Sequence, residues 1–221
     1  MSIDDAKKRA SGVRSQNNIR RSAGNFIDIE FNNISFKGKN LSRRKFSGCK
    51  FAGCTLSNVE FVNTVFENCS FVNCEIDNSN FSGAVFDKSV SFVNCGLQSA
   101  AFNFAKGGFL CRYSIMSRSS ALESNLKITL SDTDAAYFKA NGANIGLDVV
   151  NSCLHSAEFC DSTVKGAVSG TDLTRCKFNR ADMSQLDICN CPQNDMETDG
   201  AAVFYKLASG YQSYCRNFDE E

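Results

Sequence analysis

A large apolar residue stands at every fifth position of residues 26–86, which read FIDIEFNNISFKGKNLSRRKFSGCKFAGCTLSNVEFVNTVFENCSFVNCEIDNSNFSGAVF. The members of this series are Phe26, Phe31, Phe36, Leu41, Phe46, Phe51, Leu56, Phe61, Phe66, Phe71, Ile76, Phe81 and Phe86. A period of five fits neither an α-helix, at about 3.6 residues per turn, nor a strand, at about two. It predicts a coil made of short straight sides, whose successive turns stack like parallel strands about 4.8 Å apart.

Two further positions follow the same period. Two residues before each centre the chain has a small or compact residue, namely Cys49, Cys54, Val59, Thr64, Cys69, Cys74, Ser79 and Ala84. Two residues after each centre it has Gly or Asn, at Gly48, Gly53, Asn58, Asn63, Asn68, Asn73, Asn78 and Gly83. Because Gly and Asn tolerate left-handed backbone, the chain is expected to bend after every side.

The large and small residues of each side are expected to form the core. Burial of each Phe contributes roughly 1.5–3 kcal/mol, so the row of Phe is interpreted as packing and not as a ligand site. The predicted core comprises Phe46, Phe51, Phe61, Phe66, Phe71, Phe81, Phe86, Cys49, Cys54, Cys69 and Cys74. These cysteines recur at intervals of twenty residues and are interpreted as small hydrophobic residues. Stacked disulfides in a secreted protein are the alternative.

The pentads resemble the pentapeptide-repeat family, whose consensus is a small residue, Asp or Asn, then Leu or Phe, and two variable positions. Close matches are Ser79-Asn80-Phe81, Ala143-Asn144-Ile145, Thr171-Asp172-Leu173 and Ala181-Asp182-Met183. The resemblance covers residues 25–191. It implies an all-β solenoid, a right-handed quadrilateral β-helix with twenty residues per coil, and about eight coils are expected.

The two ends of the chain differ in character from the repeats. Residues 1–24 are polar and rich in Ser, Asn and Arg, which predicts a disordered tail or a short helix. Residues 192–221 carry an amphipathic stripe at helical spacing, formed by Phe204, Leu207, Tyr211, Cys215 and Phe218. A C-terminal helix there is expected to cap the last coil. Homodimerisation through the same residues, which the family resemblance implies, is the alternative.

The pentad pattern is interrupted at residues 103–121, NFAKGGFLCRYSIMSRSSA. Two interpretations are open, a degenerate coil or a projecting loop that binds a partner. The residues of this segment that suit partner binding are Phe104, Phe109, Arg112, Tyr113 and Arg118.

Charge and composition narrow the classes of function. The chain has 24 Lys and Arg against 24 Asp and Glu, which argues against direct nucleic-acid binding. Residues 1–50 hold 12 basic and 4 acidic side chains, whereas residues 51–221 hold 12 basic and 20 acidic ones. A basic first coil and an acidic body are therefore expected. His155 is the single His, and Cys189-Asn190-Cys191 lacks a second pair at zinc spacing. The sequence therefore predicts no enzyme activity, cofactor or metal, and no membrane span.

The family resemblance implies a protein that acts through protein–protein contacts. One branch of the family protects type II topoisomerases, DNA gyrase and topoisomerase IV, by imitating DNA in shape and charge. A bacterial cytoplasmic protein of this kind is the first hypothesis, and it also fits the absence of an apolar signal segment. A type III secreted effector that uses the β-helix as a binding scaffold is the alternative, because the polar first 24 residues suit a secretion signal.

Overall fold

The computed structural model describes residues 24–203, which form thirteen strands and no helix. The strands are β1 (Asn25–Ile27), β2 (Glu30–Asn32), β3 (Lys45–Ser47), β4 (Lys50–Ala52), β5 (Val65–Glu67), β6 (Ser70–Val72), β7 (Val85–Val93), β8 (Lys106–Arg112), β9 (Asn125–Ser131), β10 (Asn144–Val150), β11 (Thr163–Ser169), β12 (Asp182–Cys189) and β13 (Ala202–Val203). Every strand pair is parallel, and each strand pairs with its equivalent one coil later. The predicted all-β solenoid is confirmed.

Each of the first coils has four sides. Face 1 carries Phe26 in coil 1 and Phe46 in coil 2, and the other sides follow in chain order as faces 2, 3 and 4. Phe26 pairs with Phe46, and Phe46 pairs with Phe66, so these coils contain the predicted twenty residues. Faces 3 and 4 continue as isolated bridges, such as Ser35 to Thr55 and Asn40 to Glu60. About nine turns stack in this way, one more than the sequence predicted.

The predicted bends are left-handed corners. Every Gly and Asn of the predicted series has a positive φ, and the values run from 49° at Asn68 to 67° at Gly83. The corners therefore form where the residue type makes a left-handed conformation least costly. They leave one large and one small side chain of each side directed into the coil.

Phenylalanine rings fill the first coils as continuous stacks. Phe66 lies between Phe46 and Phe86, with ring centroids 5.4 Å apart on both sides and interplanar angles of 10° and 8°. On face 2, Phe71 stacks on Phe51 at 4.6 Å and on Phe92 at 4.8 Å. None of the predicted core residues is more than 3% exposed.

The cysteines of the first coils are buried free thiols. Each thiol donates a hydrogen bond to a carbonyl oxygen of the preceding coil, as from Cys49 Sγ to Phe26 O at 3.4 Å and from Cys54 Sγ to Phe31 O at 3.2 Å. No disulfide joins the cysteines between residues 24 and 203, and those of the first coils act as small buried residues whose thiols contact backbone carbonyls.

The coil changes at β7. Phe86 pairs with Gly107, twenty-one residues later, and each following coil has nineteen residues through the pairing of Thr163 with Asp182. The twenty-residue coil that the sequence predicted is therefore wrong for this part of the chain. The physical reason is the loss of the corner between faces 1 and 2, which fuse into one strand of seven residues in β8 to β11. Alternate residues of the fused strand point inward, as Leu126, Ile128 and Leu130 do in β9.

Residues 103–121 belong to a coil and do not project as a loop, because β8 pairs along its whole length with β9 and, on both sides of a register shift at Gly108, with β7. The ladder also continues beyond Pro192, whose carbonyl accepts a hydrogen bond from Leu173 N–H at 2.8 Å, as far as Val203, the last described residue. The stripe Phe204, Leu207, Tyr211, Cys215 and Phe218 lies outside the described residues, so the cap and the dimer stay predictions. Residues 24–203 contain no helix long and apolar enough to cross a membrane.

Candidate partner-binding surface

Four corners of coils 4 to 6 carry large side chains, whereas others in the same coils keep Asn, Ser or Gly, as at Asn94, Ser99 and Gly142. Phe104, Tyr113, Arg118 and Tyr137 all adopt left-handed conformations, with φ values of 60°, 50°, 59° and 60°. A side chain with a Cβ pays roughly 1–2 kcal/mol for this conformation. The three aromatic residues are also well exposed, Tyr113 at 61%, Phe104 at 55% and Tyr137 at 46%. Backbone strain combined with exposed aromatic rings is typical of a functional surface.

Several of these side chains border the outer side of face 3. Tyr113 stands at the corner where face 3 begins in coil 5, and Arg118 stands at the corner where it ends. Between them lies Ile115, which is 45% exposed and bridges to Asp134 of coil 6. An open groove of about 320 Å³ is adjacent, lined by Gln98, Ser99, Ser117, Arg118, Asp134, Ala136 and Tyr137. Tyr113, Ile115, Arg118 and Tyr137 are called the face-3 patch below.

A row of polar and aromatic side chains runs from the face-3 patch along the solenoid. The Arg118 guanidinium lies 5.9 Å from the centroid of the Tyr137 ring, within range of a cation–π contact. Tyr137 meets the His155 ring edge to face at 5.9 Å, and His155 Nδ1 lies 3.9 Å from Asp172 Oδ2. Partial burial opposes ionisation of Asp172, but the hydrogen bond from Thr174 N–H and the nearby His155 lower the pKa of this carboxyl. The row therefore ends in a carboxylate at neutral pH.

The structure separates the five residues that the sequence proposed for partner binding. Tyr113 and Arg118 border face 3, and Arg112 is exposed on β8 beside Tyr113. Phe104 lies on a different corner, between faces 4 and 1. Phe109 is only 3% exposed and packs on the rings of Phe86, Phe92 and Phe102. A partner on the folded surface has no access to Phe109, because the fused strand directs this side chain into the core.

Sequence reasoning missed Ile115 and Tyr137. Tyr137 follows the centre Ala135 by two residues, so an aromatic at the position usually held by Asn or Gly was the available signal. The signal can be used only if the centre of each pentad is known. Here the centres Ala121, Ala135 and Ala140 are small, so they do not stand out in the sequence.

The described residues form no group suited to metal binding. No three of their His, Cys, Asp and Glu side chains are placed to hold a metal ion. Cys153 lies two residues before His155, but burial raises the pKa of its thiol, which disfavours the nucleophilic thiolate.

Seven ion pairs of Lys or Arg with a carboxylate join neighbouring coils of the described residues. They include Lys45–Glu67 at 2.7 Å, Lys127–Asp148 at 2.8 Å, Lys139–Glu158 at 3.3 Å, Lys177–Glu197 at 3.1 Å and Arg180–Asp161 at 2.7 Å. Other carboxylates, such as Glu60, Asp77, Glu123 and Asp187, form no ion pair among the described residues, so the pairs do not neutralise the acidic body that the sequence predicts.

Comparison with known proteins gives one family model and several solved structures. The family model of the pentapeptide repeat region matches residues 24–102. The solved structure of HetL, a pentapeptide repeat protein involved in heterocyst differentiation regulation from Nostoc sp. strain PCC 7120, is 13% identical, with a TM-score of 0.44, over 80% of this chain and 90% of HetL. A trypsin-treated variant of QnrB1, a plasmid-mediated fluoroquinolone resistance protein, is 14% identical, with a TM-score of 0.46, over 83% of this chain and 92% of QnrB1. No curated protein matches the chain significantly. The chain thus carries a pentapeptide-repeat region and folds as a pentapeptide-repeat β-helix.

Proposed function

We propose that this protein is a non-catalytic scaffold that binds a partner protein through the face-3 patch. The observation that carries the proposal is the placement of Tyr113, Arg118 and Tyr137 at strained, exposed corners, where earlier coils have mostly Gly and Asn. Tyr and Arg dominate the energetic centres of protein interfaces.

The geometry of the patch supports the same function. The aromatic rings project from a rigid parallel ladder, so little conformational freedom is lost when a partner binds. Ile115 supplies an apolar centre, and the polar side chains of Gln98, Ser99 and Ser117 lie at its edge. An apolar and aromatic centre with a polar rim is the usual anatomy of a protein interface.

The partner proposed is a bacterial type II topoisomerase, DNA gyrase or topoisomerase IV, as the family resemblance implies. Seven carboxylates pair with Lys or Arg of a neighbouring coil, and the others keep the body acidic. Recognition is assigned to the side chains of the face-3 patch, and the free carboxylates of the body add a favourable charge for a DNA-binding enzyme. A cytoplasmic location follows from this partner.

The test uses purified gyrase and topoisomerase IV with the full chain. The triple variant Tyr113→Asn, Arg118→Asn and Tyr137→Asn restores an Asn at each corner and is expected to weaken binding by at least about tenfold. Glu123→Asn, at a left-handed corner outside the patch, is the matched control. A supercoiling assay with a quinolone then reports whether wild-type protein, and not the triple variant, protects the enzyme.

A secreted effector remains the second candidate function, favoured by the Ser-, Asn- and Arg-rich residues 1–24. The test is translocation of the full chain with a C-terminal reporter from a type III-competent strain into host cells. Transfer that requires the secretion apparatus supports the effector, and retention in the bacterium removes it.

A further inference from the structure

The side chains two residues before each centre point towards the preceding coil. Thr64 Oγ1 donates to Leu41 O at 3.1 Å, and Ser79 Oγ donates to Leu56 O at 2.6 Å. Each acceptor lies twenty-three residues earlier in the chain, as it also does for Cys49. A residue at this position in the first turn of the solenoid therefore points beyond the N-terminal end of the described coils.

Two consecutive positions of this kind hold cations at the N-terminal end. Lys39 precedes the centre Leu41, and Arg44 precedes the centre Phe46. One coil later the same positions hold Val59 and Thr64, which are fully buried. The Arg44 guanidinium lies 6.0 Å from the centroid of Phe26, and its Nε is buried without a hydrogen-bond partner among residues 24–203. A buried donor without an acceptor destabilises a protein unless a ligand supplies one.

Two more cations stand beside them. Lys37 and Arg43 are exposed on the same coil. Lys37, Lys39, Arg43 and Arg44 form no ion pair with any described residue, whereas the nearby Lys50 pairs with Glu30 at 3.2 Å. The four cations are called the basic end below. The carboxylates of the same coil, Asp28 and Glu30, stand on its other sides, so the positive surface is confined to faces 3 and 4 and the corner that follows them.

The backbone of this end is also an unpaired strand edge. One coil later, Thr55 N–H donates to Ile34 O at 3.1 Å, and Glu60 N–H donates to Lys39 O at 3.0 Å. The equivalent groups of the first coil are Ser35 N–H and Asn40 N–H. Residues 24–203 contain no acceptor for either group. Such an edge is a template for an additional strand.

We propose that the basic end binds an acidic segment of a partner protein, which bends as Gly38 does and adds to the solenoid as the next turn of faces 3 and 4. Carbonyl oxygens of the segment accept hydrogen bonds from Ser35 and Asn40 N–H, and its carboxylates pair with Lys39 and Arg44. Strand addition of this kind derives affinity from the main chain and specificity from side chains. Nucleic acid is disfavoured as the occupant, because phosphates pair with the cations but do not continue a backbone ladder.

The test measures fluorescence anisotropy of a labelled twelve-residue peptide of alternating Glu and Ser with the full chain. The double variant Lys39→Ser and Arg44→Thr introduces residue types that later coils use at the same positions, as in Ser79 and Thr64. It is expected to weaken binding at least about tenfold, since two charge-assisted contacts are lost. The control Lys106→Ser and Lys165→Ser removes two exposed cations elsewhere and is expected to leave the affinity unchanged.

A second variant separates strand addition from attraction by charge alone. Ser35→Pro removes one backbone donor that has no partner in the described coils, and it leaves every cation in place. Weaker peptide binding by this variant, with an unchanged melting temperature, supports strand addition. If Ser35→Pro unfolds the protein, peptide binding by the double variant Lys39→Ser and Arg44→Thr is the deciding measurement. Equal binding by wild type and the double variant, or tighter binding of a single-stranded oligonucleotide than of the peptide, overturns the proposal. Neither result bears on the face-3 patch, which lies on another part of the surface.

Discussion

Coils 1 to 3 and coils 5 to 8 fill the same solenoid in different ways. The first coils have a left-handed corner between faces 1 and 2, at Gly48 and Asn68, and stacked Phe rings on both faces. The later coils lack that corner, and aliphatic side chains alternate along one fused strand, as Ile145, Leu147 and Val149 do in β10. A spacing of five requires a bend, whereas a spacing of four is two strand periods and continues straight. Removal of a single residue thus replaces a corner with a longer strand.

The corners that remain show a second difference between the two regions. In the first coils they are mostly Asn and Gly, which fit the conformation and extend little from the surface. In coils 4 to 6 they include Phe104, Tyr113, Arg118 and Tyr137. The regular coils therefore contribute mainly packing, and the irregular ones add side chains suited to recognition.

The largest expected effect is on the Phe stack. Phe66→Ala removes a fully buried ring between two others and is expected to cost about 3–5 kcal/mol of unfolding free energy. Val164→Ala, at the equivalent face of coil 8, is expected to cost only about 1–2 kcal/mol, because fewer methylene equivalents are lost. Urea unfolding followed by circular dichroism measures both. Equal losses would show that the aromatic stack adds nothing beyond aliphatic packing.

The junction between the two regions depends on Gly107. This residue has a φ of 99°, and a Cβ there would overlap the carbonyl oxygen of Phe86. Gly107→Ala is therefore expected to cost about 1–3 kcal/mol from backbone strain alone. Gly146→Ala is the matched control, since its Cβ would meet Lys127 Cγ at an ordinary 3.4 Å. Thermal unfolding compares the two variants, and an unaffected Gly107→Ala protein would contradict the close pairing of β7 with β8.

A smaller effect on stability is expected when the corner residue types of the two regions are exchanged. Tyr113→Asn relieves left-handed strain and is expected to raise stability by roughly 0.5–1 kcal/mol. Asn73→Tyr, two coils earlier in the same column, is expected to lower it by a similar or larger amount, because Asn73 Oδ1 also accepts a hydrogen bond from Asn94 Nδ2 at 2.8 Å. Melting temperatures of both variants test this exchange. A loss of stability in Tyr113→Asn would mean that the packing of the Tyr113 ring stabilises the protein by more than its left-handed backbone costs.

The rate at which each cysteine reacts with a thiol reagent distinguishes the two regions, and this measurement requires no substitution. Burial protects Cys49, Cys54, Cys69 and Cys74, whereas Cys189 is exposed near the last coil. Maleimide labelling of the native protein at neutral pH, read by mass spectrometry, is expected to modify Cys189 first. Burial raises the pKa of the Cys176 thiol to about 12, so this residue is expected to stay unlabelled until the protein unfolds. Labelling of Cys54 as fast as Cys189 would contradict the inward register.

The sequence predicts the first region well because one residue type repeats at each position. Phe61 predicts a centre, and Asn63 predicts its corner, without any tertiary information. In coil 6 the sizes of the two buried positions of a pentad are exchanged. The large Phe138 stands two residues before the centre, and the centre itself is the small Ala140. The total volume is conserved, which a core tolerates, but the visible period is lost. Tyr137 was missed for this reason, and Phe109 was assigned to a surface although the fused strand directs it inward.

The most direct test of the division between packing coils and recognition coils is affinity capture from bacterial lysate, quantified by mass spectrometry. Wild-type protein, the triple variant of Tyr113, Arg118 and Tyr137, and the Glu123→Asn control are compared side by side. We predict that wild type and control enrich the same topoisomerase subunit, and that the triple variant enriches it at least about tenfold less. Undiminished enrichment by the triple variant would contradict the assignment of recognition to the face-3 patch.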